Sequence, residues 1–220
     1  MEITIRNETP ADYRKVEELV REAFWNHYVP GCSEHYLAHT LRGAEAFLPE
    51  LDFIALKEDT LIGNIMYAQS EIIGDDGTKH PVLTFGPFAV LPAFQNAGVG
   101  QALLSHSLAA AKALGHTAVL IFGDPTFYTK VGFVPAESYG IGTSWNSYLP
   151  SLLALELVPL ELVPGALKGC AGLFYEGDAY DFDTEEARAF NRSFSAKQEC
   201  SGLPSQLRFA QLVASGKPRS

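Results

Sequence analysis

The segment PAFQNAGVGQALL, residues 92–104, places a glutamine and two closely spaced glycines directly before a stretch with helical periodicity. A loop that leads into a helix presents unpaired backbone N–H groups and the positive end of the helix dipole, and both attract phosphate. Gly98 and Gly100 also let the backbone approach an anion without an intervening Cβ. A simple tight turn explains the same two glycines, so the loop by itself leaves both interpretations open.

Two well-known phosphate loops do not fit this segment. A Rossmann loop needs a glycine three residues after Gly100, where the chain has Leu103, and an acidic residue about 20 residues further on, where the chain has the apolar run TAVLIF. A Walker loop needs the sequence GK[ST], which the chain lacks. The phosphate of a dinucleotide or a P-loop nucleotide is therefore not the expected ligand.

The run Gln95-Asn96-Ala97-Gly98-Val99-Gly100 resembles the pyrophosphate loop of the GNAT superfamily of acyl-CoA-dependent N-acetyltransferases, which is Gln or Arg, two residues, Gly, one residue, and Gly or Ala. FYTKVGF, residues 127–133, is similar to a second signature of that family, a tyrosine four residues before Gly-Phe. The resemblance covers about residues 2–136. The chain also resembles a bacterial subgroup of predicted acetyltransferases with a C-terminal extension, in which LALELVPGAL-like and GLFY-like segments follow.

The resemblance implies acetyl-CoA as the co-substrate and no metal. It assigns the pyrophosphate to the backbone of Gln95, Asn96, Ala97, Gly98, Val99, Gly100 and Gln101, and the pantetheine arm to Phe88, Ala89 and Val90 on the fourth strand. Gly86-Pro87 interrupts that apolar strand, and because proline cannot donate to a central ladder, the pair predicts a bulge or the start of a strand there. We expect strands 4 and 5 to splay apart at this point.

Transfer of an acetyl group to an amine expels a thiolate, which a neutral donor must protonate. Tyr128 matches the general-acid position of the family, and a tyrosine, with a reference pKa of about 10, keeps its proton at pH 7. The alternative for Tyr128 is a packed helix aromatic. For the base that deprotonates the amine, Glu71 is the nearest carboxylate on the preceding strand; a solvated strand-end acid, with a water chain as the base, is the competing interpretation.

Other side chains that could bind a substrate or a metal are weaker indications of a functional site. Trp25, His27 and Tyr28 follow the first helix in a region that often covers the acceptor site in this family, although plain packing explains an aromatic helix end as well. Asp124 precedes Pro125 and is expected to cap a helix. His35 and His39 are one helical turn apart, but without a third ligand they predict a surface helix rather than a metal site.

The amino-acid composition argues against some classes of binding partner. The chain has 16 Lys+Arg against 26 Asp+Glu, a net charge of −10, and this argues against a sequence-independent grip on nucleic acid or anionic lipid. Residues 81–111 lack Asp, Glu, Lys and Arg, yet prolines and polar residues interrupt them, so no membrane span is expected. Three widely spaced cysteines and an N-terminus without a signal-like pattern predict a cytoplasmic protein.

The periodicities predict a strand at 2–7, a helix from Thr9, a helix at 33–47, a meander of three strands, a helix from Gly98, a strand at 117–123 and a short helix up to Gly132. The fold class is α/β (α+β): a GNAT-like mixed, mostly antiparallel sheet flanked by helices and splayed between strands 4 and 5. Residues 1–144 are the expected acetyltransferase core, and residues 145–220 an extension packing on the same domain. In this extension we expect a strand and turn around a repeated ELVP, a last helix at 184–194 and a loose end GKPRS.

These patterns predict an N-acetyltransferase, a monomer or homodimer, that transfers acetyl from acetyl-CoA to a primary amine of a small molecule or peptide. The transfer would occur by direct attack in a ternary complex. Since the fourth strand lacks an obvious base, a non-catalytic acyl-CoA-binding sensor or partner-binding domain remains the alternative.

Overall fold

The computed structural model describes residues 2–157 and 165–219. The described residues form two compact units. Unit 1 comprises residues 2–67, 86–109 and 178–207, and unit 2 comprises residues 68–85, 110–157, 165–177 and 208–219. The chain passes between the units several times, so each unit is built from segments that are distant in sequence.

The strands and helices of the described residues differ widely in length. The strands are β1 (Thr4–Asn7), β2 (Phe53–Lys57), β3 (Thr60–Gly74), β4 (Lys79–Val90), β5 (Ala118–Phe122), β6 (Val134–Pro135), β7 (Ile141–Thr143), β8 (Ser147–Tyr148), β9 (Leu152–Glu156), β10 (Gly172–Tyr175) and β11 (Lys217–Pro218). The α-helices are α1 (Tyr13–Phe24), α2 (Glu34–Leu41), α3 (Val99–Ala113), α4 (Pro125–Tyr128), α5 (Thr184–Asn191) and α6 (Pro204–Ala214). The predicted order of elements up to α4 is confirmed. No helix among the described residues is long and apolar enough to cross a membrane.

In unit 1, β1 pairs with β2 and β2 with β3, both antiparallel, and a bulge lies between Ala55 and Leu56 of β2. Helix α3 packs closely on β3. A Cβ on Gly63 would lie 2.7 Å from Leu103 Cδ1 and 3.3 Å from Val99 Cγ1, so the helix lies directly against the strand backbone. The Tyr67 and Ser107 hydroxyls, 2.9 Å apart, form a buried hydrogen bond between the same two elements.

Helices α1 and α2 of unit 1 pack against α5 of the C-terminal extension. His35 on α2 is fully buried, and its ring centroid lies 5.6 Å from that of Phe190 and 5.0 Å from that of Phe194. Arg14 of α1 covers the other side of the cluster, with its guanidinium carbon 3.5 Å from the Phe194 ring centroid. The prediction that His35 lies on a surface helix is therefore wrong, because a helix from the far end of the chain covers that face.

A buried group of charges joins the end of β1 to α1 and α2. Arg42 donates to both carboxylate oxygens of Glu8, at 2.7 and 2.9 Å, and to Glu17 at 3.2 Å. Asp52 is also buried, and its burial together with the neighbouring Glu8 carboxyl raises its pKa. A raised pKa favours the uncharged form of Asp52, which limits the number of negative charges that Arg42 has to balance.

In unit 2, β4 and β5 are parallel, and Leu83↔Val119 is the one pair described between them. On its other side β5 pairs antiparallel with β9 along its whole length, from Ala118↔Glu156 to Phe122↔Leu152. This sparse pairing of β4 with β5 agrees with the predicted splay. Gly86-Pro87, a cis peptide bond, lies within β4, so the expectation that it begins the strand is wrong.

The remaining strands of unit 2 extend the sheet at both sides. β6 pairs with β9, and β10 pairs antiparallel with β3 and parallel with β7. One face of these strands carries the hydrophobic core of the unit, whose members include Ile72, Val82, Leu120, Leu152, Ala154 and Phe174. The C-terminal extension thus supplies strands to the sheet, as expected from its apolar runs.

Several predictions about boundaries and the chain end are corrected. Helix α1 begins at Tyr13, several residues after Thr9, although Asp12 does accept from the Thr9 backbone N–H at 3.0 Å. Helix α2 ends at Leu41, before the predicted 47. The end GKPRS is not loose, since β11 pairs with β8 and Arg219 donates to the Gly140 carbonyl at 3.0 Å. Helix α6 was not predicted, and the second ELVP repeat lies outside the described residues.

The buried His35 predicts a dependence of stability on pH. Burial, followed by the nearby Arg21 charge, lowers the pKa of His35 to about 4 from a reference of 6.5. The folded state therefore stays neutral at this position while the unfolded state takes up a proton, so the free energy of unfolding falls as the pH drops from 6.5 to 4, by up to about 3 kcal/mol. We expect His35→Gln to remove that part of the loss when urea unfolding is measured at pH 7 and pH 4.5. An equal loss in both proteins would contradict the prediction.

Candidate functional site

The predicted pyrophosphate loop is an exposed turn of unit 1. A 3₁₀ turn at Pro92–Phe94 leads into it, and residues 95–98 form the turn proper. Asn96 and Gly98 both have positive φ, 58° and 86°, a conformation that asparagine and glycine adopt more readily than other residues. The loop sequence and its backbone conformation thus agree with each other.

The turn places the start of helix α3 directly after it. Ala102 donates to the Gly98 carbonyl at 3.0 Å, the first helical hydrogen bond. The amides of Val99, Gly100 and Gln101 precede this bond and belong to the first turn, whose N–H groups have no intrahelical acceptor. Val99 itself is buried, so the helix start is anchored while the loop before it faces solvent.

The predicted pantetheine residues lie next to this loop at the end of β4. Ala89 is buried, whereas Phe88 and Val90 are half-buried. The Gln95 side chain donates from Nε2 to the Val90 carbonyl at 3.1 Å. This hydrogen bond ties the loop to the strand, and it gives the glutamine of the motif a structural role that does not require a ligand.

In unit 2, Tyr128 ends the short helix α4 and is half-buried among aromatic rings. Its ring centroid lies 5.5 Å from that of Phe133 and 6.0 Å from that of Phe85. The ring lies over Gly123, at the end of β5, where an added Cβ would overlap with Tyr128 Cε2. The second motif therefore holds its tyrosine in one place against the sheet.

The start of α4 is capped as predicted and is also held by the C-terminal extension. Asp124 accepts from the Thr126 backbone N–H at 2.9 Å. Arg208 of α6 donates to the same carboxylate at 3.0 and 3.2 Å, and this side-chain hydrogen bond is the main reason that the pKa of Asp124 is lowered to about 2. No sequence pattern pointed to Arg208, because it lies 84 residues away from Asp124 in a helix that was not predicted.

Glu71, the predicted base, lies on the outer side of β3. Its carboxylate is 2.9 Å from Lys79 Nζ, and its strand neighbour Ile72 points into the core of unit 2. Because side chains alternate along a strand, Glu71 and Ile72 lie on opposite faces of the sheet. Its role as the base remains a prediction.

Unit 2 contains a second candidate carboxylate, besides Glu71, that was not predicted from the sequence. Glu176 directly follows β10, and Ser70 donates to its backbone carbonyl at 3.2 Å. The side chain is half-buried, and burial raises its pKa to about 7. The alternation of β10 is the one signal that could have found it: continued one residue past the strand end at Tyr175, it predicts that Glu176 shares the face of the buried Phe174.

The predicted acceptor residues cluster in unit 1 immediately after α1. The Trp25 indole donates to the Gln198 carbonyl at 2.9 Å, and the rings of His27 and Tyr28 lie 4.6 Å apart. Burial lowers the pKa of His27, which keeps this ring neutral at pH 7. The structure brings His27 and Tyr28 together, whereas Trp25 packs under the Arg21 guanidinium. The contact of these three residues with an acceptor remains a prediction.

The two histidines of α2 do not share one environment. His39 lies 2.9 Å from Glu17 and is half exposed, whereas His35 is enclosed by aromatic rings. Within the described ranges 2–157 and 165–219, no group of three His, Cys, Asp or Glu side chains is arranged to hold a metal ion.

The central part of the chain is similar in sequence to known acetyltransferases. Residues 50–135, which include the loop and Tyr128, match the profile of the acetyltransferase (GNAT) domain. The chain is 27% identical to the uncharacterized N-acetyltransferase YhbS of Escherichia coli K12 over 142 residues, 64% of this chain and 79% of the relative. It is 29% identical to the uncharacterized N-acetyltransferase YjhQ of the same strain over 100 residues, 45% of this chain and 54% of that relative.

Two solved structures share the fold. The crystal structure of E. coli YhbS in complex with CoA superposes with a TM-score of 0.71 at 22% identity, covering 83% of this chain and 93% of that one. A GNAT family acetyltransferase from Brucella melitensis, solved in complex with acetyl-CoA, gives a TM-score of 0.61 at 23% identity, covering 82% and 99%. Residues 50–135 therefore resemble an acetyltransferase (GNAT) domain in sequence, and the chain shares the fold of the two solved structures.

Proposed function

We propose that this protein is an acetyl-CoA-dependent N-acetyltransferase. It would transfer acetyl to a primary amine of a small molecule or peptide by direct attack in a ternary complex. The observation that carries the proposal is the exposed turn at 95–98 that opens onto the free amides at the start of α3. The CoA in the YhbS structure and the acetyl-CoA in the Brucella structure support the choice of ligand.

The residues of the loop fit a pyrophosphate. The amides of Val99, Gly100 and Gln101 lie at the positive end of a helix of 15 residues, and an anion is stabilised there. A Cβ added to Gly98 would meet nothing within 4 Å, so open space lies beside the backbone where a phosphate would approach. The pantetheine arm is assigned to Phe88, Ala89 and Val90, next to the loop.

When bound, acetyl-CoA supplies an acetyl group activated as a thioester. The part assigned to this chain is to orient the reactants and to move protons. Tyr128 is proposed to donate its hydroxyl proton to the leaving thiolate, because its ring is held in place by Phe85, Phe133 and the surface of Gly123. Trp25, His27 and Tyr28 are proposed to cover the acceptor, and Glu71 remains one candidate for the base.

A second candidate function is a non-catalytic acyl-CoA sensor, which would use the same loop without acceptor chemistry. The ion pair of Glu71 with Lys79 favours it, since this carboxylate is already engaged by a side chain of the protein. The three cysteines are free thiols, in keeping with a reducing compartment, and we propose a cytoplasmic protein that is a monomer or a homodimer.

A thiol-release assay distinguishes the N-acetyltransferase from the non-catalytic acyl-CoA sensor. We expect acetyl-CoA to bind in isothermal titration calorimetry and free thiol to be released faster when polyamines, amino acids, aminoglycosides or peptide N-termini are added. If acetyl-CoA binds and no amine accelerates release, the sensor function is correct. Absence of acetyl-CoA binding would rule out both.

Tyr128→Phe tests the general acid. The substitution keeps the ring and its packing but removes the hydroxyl, so turnover should fall about 100-fold or more while the dissociation constant for acetyl-CoA stays within about twofold. Tyr36→Phe, which removes a hydroxyl that donates to Glu186 at the surface of unit 1, is the matched control and should change neither quantity strongly. Unchanged turnover in Tyr128→Phe would remove the residue from the mechanism.

Gly123→Ala tests whether turnover and stability depend on the position of the Tyr128 ring. The added methyl group overlaps with the Tyr128 ring and forces it to move, at a cost of about 1–3 kcal/mol in the free energy of unfolding. Turnover should fall together with stability. Gly43→Ala is the control, because a Cβ there lies 3.6 Å from the nearest atom, the Thr40 carbonyl oxygen. Equal unfolding midpoints for the wild type and Gly123→Ala would show that the tyrosine ring is not held at this position.

A further inference from the structure

Glu176 is an acidic side chain whose charge no neighbouring group among the described residues balances. It is half-buried, and among the described residues no cation and no hydrogen-bond donor is found at its carboxylate. Burying a carboxylate costs free energy unless a positive charge or donors accompany it. A half-buried carboxylate that no other group balances is thus suited to a cationic ligand.

The surroundings of Glu176 in unit 2 are aromatic. The ring of Phe174, which lies on β10 two residues before Glu176, is 6.1 Å from the Phe122 ring. Phe122 in turn stacks on Trp145, with centroids 5.9 Å apart and ring planes at 12°. Trp145 is 60% exposed, which is unusual for so large an apolar side chain and leaves one face of the stack open to solvent.

Thr84 adds an unused polar group to the same face of the sheet. It follows Leu83, which pairs with Val119, and so its side chain lies on the face of Val82, a member of the core. The residue is fully buried, and its hydroxyl has no hydrogen-bond partner among the described residues. Such an unsatisfied buried hydroxyl is rare in folded proteins and is often explained by a ligand or water.

We propose that Glu176 binds the ammonium group of the acceptor and takes up its proton, and that Phe122 and Trp145 receive a flat apolar group of the same molecule. The inference rests on the proposed function, which it deepens by naming the acceptor class: cationic primary amines that carry an aromatic ring. β7 and β10 are parallel and Thr143 pairs with Phe174, so Trp145 and Glu176 each lie two residues beyond this pair. Neighbouring strands are about 5 Å apart, so a short linker between the ring and the amine matches this placement.

The proton step balances within the site. An N–H bond of the ammonium breaks, an O–H bond forms on the Glu176 carboxylate, and the nitrogen regains the lone pair that an acyl transfer requires. A carboxylate with a pKa near neutrality is a stronger base than an exposed glutamate and still returns its proton to solvent at pH 7. Glu137, an exposed carboxylate of unit 2 that pairs with Lys217, has no role in the proposed site and is the matched comparison.

The test measures binding of three probes to the full chain by calorimetry at pH 8: 2-phenylethylamine, ethylamine, which lacks the ring, and 2-phenylethanol, which lacks the charge. We expect 2-phenylethylamine to bind at least 10-fold more tightly than either control. Glu176→Gln and Trp145→Ala should each weaken it 10-fold or more, Glu176→Asp should retain most of the affinity, and Glu137→Gln should leave it unchanged.

Thermal unfolding controls for the integrity of the variants. Glu176→Gln removes an uncompensated charge, so its Tm at pH 8 should equal or exceed that of the wild type. Equal binding of the three probes, or an equal effect of Glu137→Gln and Glu176→Gln, would overturn the proposal. Acetyl-CoA binding to the wild type is measured separately: its absence defeats the proposed function, whereas its presence with unaltered amine binding in Glu176→Gln defeats only this inference.

Discussion

Helix α3 can lie against strand β3 because residue 63 has no side chain. A Cβ at Gly63 would approach Leu103 within 2.7 Å and the Ala89 carbonyl within 3.2 Å, so any other residue would push the helix outwards. The buried Val99 fixes the first turn of the helix in the same way. Everything proposed for the loop depends on this contact, because the direction of the loop amides follows from the position of the helix start.

The features that the sequence could predict are those encoded by neighbouring residues. The loop at 95–100, the cap at Asp124 and the tyrosine before Gly132-Phe133 are local patterns, and the structure has a turn, a capped helix and a half-buried ring at these places. The strands of the meander were predicted for a similar reason, since each alternates or is apolar along its own length. Pro87 was interpreted less well, because a local rule about proline does not say whether a strand continues beyond it.

The features that the sequence could not predict arise from contacts between distant segments. His35 is buried because α5, some 150 residues later, covers it, and Asp124 is paired with an arginine from α6. Glu176 follows a short strand whose neighbour, β3, is about 100 residues earlier in the chain. Such pairings depend on the path of the chain, and a single sequence shows only the apolar character of the segments involved.

The chain contains two tryptophans, and they fall in different compact units. Trp25 of unit 1 lies under the Arg21 guanidinium and donates its indole N–H, whereas Trp145 of unit 2 is largely open to solvent and stacks on Phe122. Their emission spectra should differ for this reason. Intrinsic fluorescence of single-tryptophan variants can accordingly follow each unit during denaturation, and it distinguishes one cooperative transition from two independent ones without any added dye.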